Sequence, residues 1–166
     1  MAYTLDEVRG MTVADVMRRE ILAADADWSL ETLADFLIDN NISGAPVTTD
    51  DNELLGVVSL TDIVRQGQVH ENSAPTGPHD VYLYELELES RIGREELRVF
   101  HTREDSPVRV RDIMTPMIFS VTRDTRLQEV ADTMLKGGIH RVFITDGTRL
   151  TGIATTLDLM QVLRDI

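Results

Sequence analysis

The sequence predicts an α/β fold (α+β) built from two tandem copies of one β-α-β-β-α unit, packed with pseudo-two-fold symmetry. Three observations predict it: an internal repeat, the alternation of strand-like and helix-like apolar periods within each copy, and a globular composition. The chain has 166 residues, of which 42% are hydrophobic and 27% charged. That length and usage are enough for a buried core and are not typical of a disordered chain.

The repeat is found by sliding the sequence along itself. A shift of 97 residues places Val13, Asp15 and Met17 on Val110, Asp112 and Met114. After the removal of one residue in a turn, the same comparison aligns further identical pairs, namely Asp50 with Asp146, Leu54 with Leu150, Gly56 with Gly152 and Asp62 with Asp158. We therefore place the two copies at residues 12–66 and 109–164, with residues 67–108 as an insertion.

Each copy reads as strand, helix, strand, strand, helix. Apolar residues recur at helical spacing at Leu30, Leu33, Ala34 and Leu37 in the first copy, and at Leu127, Val130, Ala131 and Met134 in the second. Each helix is predicted to end at a pair of residues that tolerate a left-handed turn, Asn40-Asn41 in the first copy and Gly137-Gly138 in the second. Two short apolar runs follow each pair. Thr125 and Gln128 have the spacing of a capping box for the second of these helices.

The insertion, residues 67–108, is longer than a compact repeat requires. Its first third is rich in Gly, Pro and Ser and predicts a loop. Tyr82, Tyr84, Leu86 and Leu88 then alternate with other residues, which predicts a half-buried strand, and Leu97, Val99 and His101 could form its return partner. We expect a β-hairpin or connector here, with a helix as the alternative because Glu and Leu favour helices. It could pack as a connector, or act as a lid or partner surface.

Charge and composition exclude several function classes. The formal net charge of −13 would repel a phosphate backbone, which argues against nucleic-acid binding. The chain has no cysteine, so no disulfide or thiolate metal site is expected. No apolar run near the start is typical of a signal peptide or membrane span, and we expect a cytoplasmic protein without a membrane partner. Lys136 is the lone lysine, which fits either Arg-favouring codon usage or adaptation to salt.

Catalytic motifs are sparse. The four histidines, His70, His79, His101 and His140, do not have the spacing of a metal site. The sequence contains no phosphate-binding loop, dinucleotide glycine fingerprint or nucleophile elbow. We therefore predict a non-enzyme with no catalytic residues and no metal. A weaker alternative is a metal-dependent hydrolase that uses His70, His79 and Asp80 of the insertion.

Five short segments carry a family resemblance. Residues 42–47 read Ile-Ser-Gly-Ala-Pro-Val and residues 56–62 read Gly-Val-Val-Ser-Leu-Thr-Asp. The second copy has Asp-Ile-Met-Thr-Pro at 112–116, Gly-Ile-His-Arg-Val-Phe-Ile at 138–144 and Gly-Ile-Ala-Thr-Thr-Leu-Asp at 152–158. The repeated unit resembles a CBS motif, and two such motifs form the pair known as a Bateman module. The resemblance covers about two thirds of the chain, and its double occurrence makes it specific.

The resemblance implies a cleft between the paired motifs that can hold AMP, ADP, ATP or S-adenosylmethionine. The residues themselves fit such ligands. Ser59 and Thr155 end a strand, and Asp62 and Asp158 follow three residues later in the first helical turn. Each carboxylate can accept both hydroxyls of a ribose, while the hydroxyl and nearby N–H groups can meet a phosphate. The alternative is that the hydroxyls only cap helices and the carboxylates only complement the helix dipole.

The two clefts are expected to differ. His140 and Arg141 stand where nucleotide-sensing relatives carry a phosphate-contacting pair, and the first copy has Ser43 and Gly44 there. The resemblance groups His140 and Arg141 with the first copy's Ser/Asp pair, as the cleft for a phosphorylated nucleotide.

The other cleft would combine Thr155, Asp158 and Ser43, with no basic pair, and would take an uncharged adenosine group or nothing. Arg141 could instead pair with surface carboxylates. Ile21 and Ile118 could wall an adenine, or belong to the core.

The function expected from these observations is a stand-alone regulatory module whose adenosine-containing ligand alters the relative pose of the two motifs and thereby the activity of an unidentified effector protein. The alternative is a structural or protein-interaction module with no bound nucleotide. The final helix is apolar on more than one face, and the resemblance implies a homodimer through it.

Overall fold

The computed structural model describes residues 3–67, 107–116 and 118–166. Contacts divide the chain into two compact units, Met1–Ile21 with Ile118–Ile166, and Leu22–Met117. The helices are α1 Leu5–Gly10, α2 Leu30–Asp39, α3 Leu60–Gly67, α4 Val110–Ile113, α5 Leu127–Gly137 and α6 Thr156–Arg164. The strands are β1 Ala24–Asp25, β2 Gly44–Thr48, β3 Leu54–Ser59, β4 Ser120–Val121, β5 Arg141–Asp146 and β6 Arg149–Thr155. The predicted α/β class and the order strand, helix, strand, strand, helix in each copy are confirmed.

The unit Leu22–Met117, which we call the β1–β3 unit, contains a three-stranded sheet covered by helices. β1 is parallel to β2, and β2 is antiparallel to β3 in a register that places Gly44 opposite Ser59. The apolar stripe of α2 supplies Leu33 and Leu37, which are fully buried together with Val47 and Val58 of the sheet. Burial of this stripe is what holds α2, because a helix of ten residues is marginal by propensity alone.

The other unit, Met1–Ile21 with Ile118–Ile166, repeats this design, and we call it the β4–β6 unit. β4 is parallel to β5, and β5 is antiparallel to β6 with Arg141 opposite Thr155. Val130 of α5 packs with Val142 and Ile144 of β5 in the core. Ser59 and Thr155 therefore occupy equivalent positions, at the end of the middle hairpin and directly before a helix.

The segment that precedes the first strand of each copy belongs to the other copy's unit. We call residues 12–18 the first leader and residues 109–115 the second leader. Val13 of the first leader lies in the core of the β4–β6 unit, and Val110 of the second leader lies in the core of the β1–β3 unit. Both valines are fully buried. A copy defined by sequence similarity is therefore not the same set of residues as a compact unit.

Each leader is attached to a sheet through one backbone bridge. Arg18 donates its N–H to the carbonyl of Ile153 at 2.9 Å, and Ile153 returns the bond at 3.0 Å. Thr115 and Val57 exchange equivalent bonds of 2.8 and 3.0 Å. Arg18 and Thr115 are thus equivalent residues, related by the same shift of 97 that aligns the copies.

The glycine of each repeated motif makes room for a leader. A Cβ placed on Gly56 would lie 2.5 Å from the carbonyl oxygen of Thr115, which is closer than non-bonded atoms approach. A Cβ on Gly152 would lie 2.7 Å from the sulfur of Met17, at the end of a flexible side chain. The absence of a side chain at these positions lets the leader backbone lie against the third strand of each sheet.

The helix ends follow the sequence, with one exception. Asn41 and Gly138 adopt the positive φ values of 53° and 60° that terminate α2 and α5. The predicted capping box at Thr125 is wrong, because α5 is capped by Arg126 without a side-chain bond. Thr125 is used elsewhere, since its carbonyl accepts the N–H of Val13 and its hydroxyl lies 3.3 Å from that of Thr122.

The predicted hairpin or connector of residues 67–108 lies outside the described residues almost entirely. None of the helices in the described part of the chain is both long enough and apolar enough to span a bilayer.

Candidate functional site

The first candidate pair, Ser59 and Asp62, sits where β3 becomes α3. The backbone N–H and the hydroxyl of Ser59 both donate to Oδ2 of Asp62, at 2.8 and 3.0 Å. The strand ends in extended geometry and the helix begins at the next residue, so a carboxylate three positions later folds back over the junction. The hydroxyl and carboxylate predicted to act together are therefore in direct contact.

Asp62 has an unusual electrostatic environment. Burial raises the pKa of this carboxyl above its ordinary value, and the hydrogen bonds from Ser59 and the charge of Arg65 offset only part of that effect. Among the described residues, no donor other than Ser59 is hydrogen-bonded to Asp62, so its Oδ1 is open to a further donor. The ionised form of a half-buried carboxylate with an open oxygen is stabilised by a ligand that supplies hydroxyl donors.

The second candidate pair, Thr155 and Asp158, repeats this geometry at the start of α6. The N–H and the hydroxyl of Thr155 donate to Oδ2 of Asp158, at 2.8 and 2.7 Å. The N–H of Asp158 lies 3.4 Å from the Thr155 hydroxyl, which completes a capping box. The local sequence therefore produces the same hydroxyl-carboxylate pair twice.

The two pairs differ in one neighbour. Oδ1 of Asp158 accepts two hydrogen bonds from the guanidinium of Arg18, from Nε at 3.0 Å and from Nη2 at 2.9 Å. The Asp158 side chain is only 6% exposed, whereas that of Arg18 is 58% exposed. Burial raises the pKa of Asp158, but the hydrogen bonds from Thr155 and Arg18 outweigh it, so the pKa lies below its ordinary value.

Arg18 is the residue that the sequence alone did not single out. The repeat aligns Arg18 with Thr115. The sequence therefore shows that one leader carries a cation at the position where the other carries a hydroxyl. The sequence does not show that the first leader packs on the sheet of the second copy, and this exchange is what brings Arg18 to Asp158.

His140 and Arg141 lie in the β4–β6 unit, beside the second pair. The carbonyl of His140 accepts the N–H of Thr156 at 2.9 Å, and Arg141 begins β5 directly opposite Thr155. Side chains opposite each other in an antiparallel pair share a face of the sheet. Within the described residues Arg141 makes no ion pair.

Three further predicted residues are placed as follows. Ser43 precedes β2 in the β1–β3 unit, where its carbonyl accepts the N–H of Leu60 at 2.9 Å. Ile21 and Ile118 both belong to the β4–β6 unit and are partly buried. The predicted grouping of His140 and Arg141 with the first pair joins residues of different units, and it stays a prediction.

Across residues 3–67, 107–116 and 118–166, no group of three His, Asp or Glu side chains could hold a metal ion. The weaker prediction of a hydrolase using His70, His79 and Asp80 lies outside the described residues. A pocket of about 230 Å³ in the β1–β3 unit is lined by Asp25, Asp27, Asp50, Asp51 and Arg111, among others, and its acidic lining does not suit a phosphate.

Comparisons with known proteins agree with the repeat. The family model of the CBS domain matches residues 13–68 and 110–165. The uncharacterized protein MJ1426 of Methanocaldococcus jannaschii is 30% identical over 155 residues, which are 92% of this chain and 91% of that protein.

Solved structures share the fold. CBSX2 from the chloroplast of Arabidopsis thaliana is 27% identical over 88% of this chain and 60% of that protein. The crystal structure of CBSX2 in complex with AMP has a TM-score of 0.65 at 23% identity, over 93% of this chain and 97% of that chain. The CBS domain pair of MJ0100, in complex with 5′-methylthioadenosine and S-adenosyl-L-methionine, has a TM-score of 0.59 at 19% identity, over 92% and 99% of the two chains. With two matched motifs over more than half of its length, the chain belongs to the CBS domain family.

Proposed function

We propose that this protein is a regulatory module that binds an adenosine-containing ligand through Asp62, and that occupancy of this site changes the activity of a partner protein. The observation that carries the proposal is the state of Asp62. Its carboxylate is half-buried, its pKa is raised by burial, and one of its oxygens has no donor among the described residues.

A ribose is well matched to this carboxylate. Its two neighbouring hydroxyls can both donate to the open Oδ1, which has two lone pairs, and these bonds return the hydrogen bonding that burial has removed. Hydrogen bonds to a charged group are worth about 1.5–3 kcal/mol each, enough to give a ribose ligand a specific orientation. The solved relatives hold AMP, 5′-methylthioadenosine or S-adenosyl-L-methionine, and all three contain a ribose joined to adenine.

A phosphorylated ligand also requires cations, because the net charge of −13 opposes any anion. We propose that His140 and Arg141 supply them, and that AMP, ADP and ATP are therefore candidate ligands beside S-adenosylmethionine. Ser43, with Thr155 and Asp158, would belong to a second, weaker position, and Ile21 and Ile118 would lie against the adenine. No cofactor is required by this proposal.

Regulation of a partner follows from linkage. A ligand changes the activity of a partner only if it binds one conformation of the module more tightly than another. The coupling is reciprocal, so the partner must alter the ligand affinity by the same factor. The effector protein is unidentified, and nothing in the proposal requires chemistry by this chain itself.

We also propose that the protein is a homodimer. The side chains of Leu157, Met160 and Leu163 on α6 are 69%, 54% and 59% exposed, and they recur every three residues along one side of the helix. An apolar stripe of this kind is typical of a helix that packs against another surface. Light scattering should give twice the chain mass of 18.7 kDa, and a Leu157→Asp, Leu163→Asp variant should give the single mass. A single mass for the unaltered protein at high concentration would contradict the dimer.

Ligand binding is tested by thermal unfolding with AMP, ADP, ATP and S-adenosylmethionine in turn. A ligand at about one hundred times its dissociation constant stabilises the folded state by about 2.7 kcal/mol. For a chain of this size that stabilisation raises Tm by about 5–11 °C. If none of the four ligands raises Tm, the proposed function is wrong, and an interaction module without a nucleotide becomes the better account.

The carboxylate is tested with matched variants. Asp62→Asn should weaken the bound ligand about 10–100-fold, because it removes the charge from one or two hydrogen bonds to the ribose. Asp158→Asn is the control, since it makes the same change at the equivalent position, and it should weaken binding less than about threefold. Calorimetry would measure both affinities, and equal losses would show that Asp62 has no special role.

A further inference from the structure

The two hydroxyl-carboxylate pairs have the same local geometry, but their aspartates have different hydrogen-bond partners. Ser59 and Thr155 each donate two hydrogen bonds to one oxygen of the aspartate three residues later. The difference lies at the other oxygen, where Asp158 holds the Arg18 guanidinium. At the position equivalent to Arg18, the second leader carries Thr115, and among the described residues only Ser59 donates a hydrogen bond to Asp62.

Arg18 saturates the Asp158 carboxylate. A carboxylate offers about four lone-pair positions to donors. Oδ2 of Asp158 accepts from the N–H and the hydroxyl of Thr155, and Oδ1 accepts from Nε and Nη2 of Arg18. A ribose can reach this carboxylate only by displacing the guanidinium. Because the displaced bonds are charge-assisted, this competition should weaken a ligand there by about 10–100-fold compared with an open carboxylate.

We call each hydroxyl-carboxylate pair, Ser59 with Asp62 and Thr155 with Asp158, a half-site. We propose that Arg18 occupies the Asp158 half-site in place of a ligand, and that it thereby restricts adenosyl-ligand binding to the half-site of Asp62. This inference rests on the proposed function, because it concerns the same class of ligand. Arg18 is a specificity-determining residue that lies in the leader, outside the motif that carries the ligand-binding pair. Its removal should open a second site.

Two observations indicate that Arg18 can be changed without loss of the fold. Its backbone makes the bridge to Ile153, and that bridge requires no particular side chain because Thr115 makes the same one to Val57. Its side chain is more than half exposed and is not part of the core. Arg18→Thr therefore installs the residue that the other leader already has, while Arg19→Thr removes the same charge from the neighbouring exposed position and serves as the matched control.

The test uses calorimetry with 5′-methylthioadenosine, which contains the ribose and adenine but no phosphate, so that a change in protein charge has little direct effect on the ligand. The unaltered chain and Arg19→Thr should each bind about one ligand per chain, and Arg18→Thr should bind about two. Addition of Asp158→Asn to Arg18→Thr should return the number to about one. Arg18→Gln, which keeps the length of the side chain, should also open the second site and provides a second variant if Arg18→Thr unfolds.

The outcomes separate this inference from the proposed function. If the unaltered chain binds one ligand and neither Arg18 variant binds a second, or if the unaltered chain already binds two, the inference is overturned and the function of Asp62 is retained. If only the Arg18 variants bind, the blocking of the Asp158 half-site by Arg18 is upheld, and the assignment of ligand binding to Asp62 is overturned. If no variant binds, both are overturned. Loss of a ligand on Arg18→Thr would show that Arg18 contacts the ligand and would also overturn the inference.

Discussion

Replacement of Gly56 by alanine should destabilise the protein much more than the equivalent replacement of Gly152. The added Cβ would lie 2.5 Å from the carbonyl oxygen of Thr115 and 3.2 Å from the sulfur of Met114. The oxygen belongs to backbone, and it accepts the N–H of Val57 at 3.0 Å. Relief of the clash therefore requires the leader to move away from β3 and to lose at least part of the bridge that attaches it.

The magnitude follows from these two effects. Overpacking against an element that cannot rotate away costs about 1–3 kcal/mol, and a weakened backbone hydrogen bond costs about 0.5–1.5 kcal/mol. We expect a loss of about 2–4 kcal/mol in the free energy of unfolding for Gly56→Ala, which lowers Tm by about 4–16 °C. At Gly152 the close atom is the Met17 sulfur, and the nearest leader carbonyl, that of Arg18, lies at 3.4 Å. Rotation of the methionine should limit the cost there to about 1 kcal/mol.

The assay is urea unfolding of both variants and the unaltered protein, followed by circular dichroism, with Tm as a second readout. Neither glycine has a positive φ, so the comparison reports the close approach of the leader and not backbone conformation. Equal losses for the two variants, or a loss below about 1 kcal/mol at Gly56, would refute the explanation of the motif glycine as a space for the leader.

Three further predictions concern charge and packing. Ligand affinity should fall as the pH drops through the raised pKa of Asp62, because a ribose binds the ionised carboxylate, and calorimetry from pH 7 to 4 should show this slope disappear in Asp62→Asn. Asp158→Asn should cost about 1–2 kcal/mol of stability at pH 7, since the lowered pKa means that the ionised form stabilises the fold, and the difference should shrink as the pH falls below about 4 in urea titrations. Leu37→Ala should cost about 2–5 kcal/mol because Leu37 is fully buried, whereas Leu135→Ala, at a residue that is 82% exposed, should change unfolding by less than about 0.5 kcal/mol.

The elements of the fold were predictable because short-range chemistry specifies them. The apolar spacing of α2 and α5 is a local signal, and so are the residues with positive φ at Asn41 and Gly138 that end them. The capping of α5 was not predictable from its own sequence, because the backbone of Thr125 is held by Val13, a residue more than one hundred positions away. Local rules fail where a distant segment competes for the same groups.

Only some properties of the candidate site could likewise be predicted from the sequence. Each hydroxyl-carboxylate pair is separated by three residues, so its internal geometry could be deduced from the strand-to-helix junction, and the hydrogen bonds at both junctions agree with that deduction. The pKa values could not be deduced, because they depend on burial at Asp62 and on Arg18 at Asp158. Two residues with the same motif therefore have opposite shifts in pKa.

The exchange of leaders explains how one repeat can give two hydroxyl-carboxylate pairs with different hydrogen-bond partners. Had each leader packed on its own copy, a change in a copy would have altered only that copy's pair. Because the first leader packs on the β4–β6 sheet, Arg18 of the first copy donates hydrogen bonds to the carboxylate of Asp158 in the second copy. On the inference above, a single substitution in a leader would fill or open one half-site without any change to the repeated segments 56–62 and 152–158. A test of the number of bound ligands should accordingly begin with the two equivalent leader positions, Arg18 and Thr115, before any residue of the repeated segments themselves.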